Sequence, residues 1–148
     1  MKTKSVFVCV MIEILSATML FSQETCAQKA KRDNTVLKRR APTVVSTAKK
    51  IVQTVPFTKR ETDAMPIHDV EDMAIDGYNA GFACALEPGK NIKSDIMKRF
   101  QKSLDDITHN LSPDDSTFAN AYVSKIISIF SKSFDVGFQD GKRPCPNY

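Results

Sequence analysis

Tryptophan is absent from the chain, which holds only two histidines and five glycines in 148 residues. His68 and His109 lie far apart, and neither sits near a close pair of cysteines, so the spacing of a structural zinc site is missing. The glycines form no phosphate-cradling loop, and neither an EF-hand pattern nor a nucleophile elbow occurs. Asp114 and Asp115 read as first-turn helix acids, and Asp105 and Asp106 point to different sides of a helix. No metal, no cofactor and no catalytic group is therefore expected. A small secreted hydrolase, the one enzymatic alternative, would need a polar cleft that no motif supplies. Beyond Phe21 there is no long apolar run, which excludes a second membrane-length segment.

The first residues, MKTKSVFVCVMIEILSATMLFSQETCAQ, have the three parts of an export signal. Lys2 and Lys4 make the positive end, Ser5 to Phe21 is mostly apolar, and Thr25-Cys26-Ala27 offers small residues before a cut at Gln28. Glu13 within the apolar run argues against a permanent membrane helix, because a carboxylate is costly in hydrocarbon. Residues 1–27 are thus expected to leave, and the product to be periplasmic or secreted. On that reading Cys84 and Cys145 alone remain of the four cysteines, and an oxidising compartment would join them. A bridge over that interval is worth about 4 kcal/mol in the chain-entropy picture.

Charge divides the remainder. Residues 28–60 carry ten Lys or Arg against one acid, a net of +9. Residues 61–148 carry nine against fourteen, a net of −5. The basic part, with Lys38, Arg39, Arg40, Lys49, Lys50, Lys59 and Arg60 among prolines and β-branched residues, predicts a flexible arm. Such an arm suits an anionic membrane or cell-wall surface. Nucleic acid is disfavoured, since Phe57 is the only ring available for stacking on a base.

Residues 61–148 predict a small all-α domain, an antiparallel bundle of three main helices. The first covers Ile67 to Leu86 and carries Val70, Ala74, Gly77, Gly81 and Cys84 on one side, with Glu87-Pro88-Gly89 ending it. Gly77 and Gly81 weaken a helix, by about 1 kcal/mol each, and their compensation is the close approach of another helix. The second covers Ile92 to His109, with Ile92, Ile96, Phe100, Leu104 and Ile107 on its apolar face. The third starts at the Ser112 cap with Pro113 in its first turn, and Gly141 is expected to stop it. A Cys84–Cys145 bond would pin the C-terminal tail to the far end of the first helix.

Phe118, Tyr122, Ile126, Phe130 and Phe134 recur at intervals of four, followed by Phe138 and the terminal Tyr148. If Phe134, Phe138 and Tyr148 exceed what two partner helices cover, the surplus predicts a protein partner or self-association. The stretches Tyr78 to Cys84 and Phe134 to Asp140 echo each other, each placing an aromatic three residues before a glycine and another just after it. In these stretches, the two cysteines and the mature length, the chain resembles the Rap/Tai group, periplasmic immunity proteins that neutralise amidase toxins of type VI secretion. The resemblance implies an exported, helical, disulfide-containing inhibitor that plugs an enzyme cleft. The function expected is therefore an exported, non-enzymatic protein-binding or inhibitory domain, with an envelope-associated structural protein tethered by its basic arm as the alternative.

Overall fold

Side-chain caps set the starts of four of the helices. Thr25 accepts the amide of Gln28 while Gln28 accepts that of Thr25, opening α1 (Cys26–Arg32). Asp33 accepts the amide of Thr35 at the start of α2 (Asn34–Gln53). A Thr58–Glu61 capping box opens α3 (Lys59–Ala64), and α4 (Ile67–Cys84) follows Pro66. After α5 (Ile92–Thr108), Ser112 accepts the amide of Asp115 and begins α6 (Pro113–Lys142). The computed structural model describes residues 24–87, 92–108 and 112–146, and among these every regular element is helical. The expected ends at Pro88-Gly89 and His109, most of the leader, and Tyr148 lie outside the described residues.

The all-α reading holds, but the described residues form six helices where three were expected. The three anticipated helices are α4, α5 and α6. The additional ones lie between Cys26 and Ala64, and α2 replaces most of the flexible arm expected over residues 28–60. Its buried residues are Val36, Arg40, Val44, Ala48 and Val52, a strict four-residue stripe packed on α4. Pro42 within α2 lacks the N–H that would bond the carbonyl four residues earlier, and burial of the stripe compensates.

The most extensive interface joins α4 and α6. Gly77 lies against Phe130, Gly81 against Phe134 and Gly141 against Ala85. Positions rise together on both helices, so the two run parallel. A Cβ on Gly81 would overlap the Phe134 carbonyl, and one on Gly137 would overlap that of Tyr78. The echoed stretches thus face each other, each glycine seated on the backbone of the other's aromatic residue. Gly141 does not stop α6. It lies inside the helix, where a Cβ would meet the Ala85 methyl at 2.6 Å.

The remaining helices flank this pair. In α5, Lys93 reaches Asp135 at 2.7 Å and Phe100 stacks on Phe130 with centroids 5.3 Å apart, so α5 runs antiparallel to α6. In α2, Arg40 meets Tyr78 and Lys49 comes to 3.9 Å from Glu71, so α2 runs antiparallel to α4. One half of the core gathers Cys26, Ala30, Val36, Val44, Tyr78 and Phe82. The other gathers Ala48, Val52, Val70, Ala74, Ile126 and Ile129.

The disulfide is Cys26–Cys145, with Cα atoms 4.4 Å apart, and not Cys84–Cys145. Helix α1 lies against the C-terminal tail, and the Cys26 amide donates to the Arg143 carbonyl at 2.7 Å. That contact places Cys26 opposite Cys145, while Cys84 stays a half-buried free thiol at the end of α4. A cut at Gln28 would remove both the Thr25 cap and the Cys26 half of the bond. The crosslink spans 119 residues, so the chain-entropy contribution is about 5 kcal/mol.

Candidate functional site

The residues chosen for a partner face on α6 belong to the interior. Phe134 is 3% exposed and its backbone supports Gly81. Phe138 is half-buried, packs on the core and stacks with Phe134 at 6.4 Å. Two neighbouring helices and the glycine seam cover the aromatic stripe, leaving no surplus at these two positions.

The basic residues separate into three environments. Lys38, Arg39, Lys49 and Lys50 are exposed on α2, a helix without a single acid. Lys38, Lys49 and Lys50 surround a shallow depression floored by Pro42 and Val45. On α1, Lys29, Lys31 and Arg32 are exposed as well, and Arg32 is paired with Glu24 at 2.7 Å. Lys59 and Arg60 lie elsewhere, on α3. Arg60 is engaged there by Asp115 at 3.0 Å and by the Phe118 ring at 4.2 Å. Arg40 differs from all of these, because it is only 5% exposed.

Buried Arg40 anchors a polar cluster between α2, α4 and α6. Its guanidinium donates to the Tyr78 hydroxyl, reaches Asp140 Oδ2 at 3.4 Å and lies 4.8 Å from the Phe82 ring centroid. Its other terminal nitrogen points to Cys26 Sγ at 3.5 Å. The Tyr78 hydroxyl in turn donates to Asp140 Oδ2 at 2.6 Å. Burial, with the Asp140 bond second, pushes the Tyr78 phenol up to about 12, so it stays neutral at physiological pH. Sequence reasoning placed Arg40 among exposed cations and passed over Tyr78 and Asp140. The signal that marked Arg40 was its place in the stripe of Val36, Val44, Ala48 and Val52.

An apolar groove of about 530 Å³ opens above this cluster, between α2 and α4 with α1 at one end. Leu37, 48% exposed, and Val45, 38% exposed, stand on its wall. Lys31 and Asn34 line the end near α1, and Val44, Val45 and Ile75 the other.

Elsewhere, Lys125 pairs with Glu61 at 2.7 Å and with the Pro56 carbonyl at 2.8 Å. The Lys125 bond and the Thr58 amide hold the Glu61 carboxyl below its ordinary range. His68 is exposed, 3.0 Å from the adjacent Asp69. Burial pushes the Cys84 thiol up, which disfavours a reactive thiolate. Among the described residues no group of three His, Cys, Asp or Glu is placed to hold a metal ion, and no helix is long and apolar enough to cross a membrane. No protein-family model matches the chain, and no curated protein or solved structure is significantly similar to it.

Proposed function

We propose that this chain is an exported, non-enzymatic binding domain of the inhibitory type, and that it docks an acidic protein surface onto the exposed cations of α1 and α2. The observation that carries this reading is the folded state of the basic segment. Lys38, Lys49 and Lys50 project from one helix whose opposite face is buried, so the charge is held in a fixed pattern. A helix-borne pattern favours a specific partner over loose attraction, because the backbone is already ordered and only the lysine rotamers remain to be fixed on binding. The disulfide suits an oxidising compartment. The resemblance to amidase immunity proteins gives the partner class, an enzyme of the cell wall.

The test is inhibition of peptidoglycan hydrolysis by a panel of secreted amidases. Wild type should block one of them. The triple reversal Lys38→Glu, Lys49→Glu and Lys50→Glu should lose inhibition while keeping its thermal melt. Reversal of the exposed Lys98 and Lys102 on α5 should leave it intact. Equal inhibition by all three proteins would remove the α1–α2 side from the reading, and failure of wild type against every amidase would remove the inhibitor class. The absence of acids from α2 favours a second reading, attachment to the anionic envelope. In that case the same triple reversal abolishes salt-sensitive binding to anionic vesicles.

A further inference from the structure

We propose that the groove between α2 and α4 binds one unbranched acyl chain ending in a carboxylate, with the carboxylate directed to Arg40. Three observations meet here. The groove is apolar and of small-molecule size, about 530 Å³. It runs beside α4 from Ile75 to Leu86, about 16 Å at the rise of an α-helix, which suits a medium-length chain. Its ends differ in chemistry. Lys31, Asn34 and the Arg40 guanidinium, which reaches Cys26, stand towards α1, Asn79 lies in the wall of α4, and Ala41, Val44, Val45 and Ile75 continue the groove with aliphatic groups. An amphiphile with one anionic end matches that polarity, and the exposed Leu37 and Val45 gain cover from its tail.

The charge of the head follows from the cluster. Arg40 faces a single described carboxylate, Asp140, and at 3.4 Å that contact is longer than a close charge-assisted bond. Asp140 Oδ2 also accepts from Tyr78, and Oδ1 lies 3.7 Å from Arg143. The phenol beside the guanidinium is neutral. Asp140 is thus one carboxylate set against two guanidinium groups, which leaves a positive charge for one further monovalent anion, and the planar fork of Arg40 suits a carboxylate. Lys31 at the rim adds to the attraction.

This inference is independent of the docking reading, since an inhibitor need not hold an acyl chain. It is tested by calorimetric titration of the exported protein, stripped of lipid, with dodecanoate, dodecanol and dodecyltrimethylammonium. Dodecanoate should saturate one site, with dodecanol about tenfold weaker or more, the loss of one charged hydrogen bond, and the cation not bound. Leu37→Glu changes an exposed wall residue and should abolish binding with an unchanged melt, and Val136→Glu, exposed on α6 away from the groove, should bind as wild type. Arg40→Met, if folded by circular dichroism, should bring dodecanoate down to the level of dodecanol; if it unfolds, Leu37→Glu decides alone. No saturable site, equal binding of acid and alcohol, or wild-type binding by Leu37→Glu would overturn the proposal.

Discussion

Gly137→Ala sets helix propensity against packing with opposite signs. On propensity alone, alanine inside a helix should stabilise by about 1 kcal/mol. In this structure the added methyl would overlap the carbonyl of Tyr78, a backbone atom that cannot turn aside. Relief requires α6 to move off α4 by more than an ångström. That shift also opens the contacts at Gly77 and Gly81, since all lie along one seam. Overpacking of a tight interior costs about 1–3 kcal/mol, and an obstacle made of backbone places this site at the upper end. After the propensity gain, a net loss of about 2 kcal/mol remains, a fall of roughly 6–10 °C in Tm for a domain of this size. Urea unfolding at constant m-value reads it directly. The double variant with Gly81→Ala should cost less than the two single losses added, because the first separation relieves the second clash. A neutral or stabilised Gly137→Ala would refute the close parallel packing of α4 and α6.

Other consequences follow from the same packing. Phe134→Asp places a carboxylate in a site 3% exposed and should unfold the domain, a loss above about 4 kcal/mol by circular dichroism, whereas exposed Leu37→Asp should leave the melt nearly unchanged. Glu61→Gln weakens the partner of the partly buried Lys125 and should cost about 1–3 kcal/mol. The Glu61 carboxyl is depressed in the fold, so its contribution is full above the ordinary glutamate range near 4.5 and disappears as pH falls below it. The variant and wild type should therefore converge in stability under acid. At neutral pH the Cys84 thiol should react slowly with iodoacetamide until denaturant is added, and fast labelling of the native protein would contradict its raised pKa.

The sequence was most legible where local signals agreed with the fold. The face from Val70 to Cys84 located α4, the Ser112 cap with Pro113 and the stripe from Phe118 to Phe134 located α6, and the pair Gly77 and Gly81 pointed to a close helix neighbour. The same stripe misled about function, because exposure of Phe134 depends on how closely that neighbour approaches. Helix α2 was hidden by local chemistry. Pro42 and a run of Thr and Val argue against a helix, and Arg40 breaks its apolar stripe with a charge. The compensation is tertiary, since Tyr78 and Asp140 come from helices far along the chain. The cysteine pairing was lost with it, because Cys26 had been assigned to the leader. Once α1 is folded against the tail, Cys26 and not Cys84 faces Cys145.

The central claim is that Cys26–Cys145 holds α1 against the C-terminal tail beside the basic helix α2, in the oxidised state that the proposed export would give. Mass spectrometry of the exported protein, digested without reduction, tests it most directly. The account predicts an N-terminus upstream of Thr25, a peptide pair joined through Cys26 and Cys145, and a free Cys84. Reduction should then lower Tm by releasing α1 from the tail. A mature chain beginning at Gln28, or a Cys84–Cys145 bond, would contradict the account, since α1 could no longer be held against the tail through Cys26.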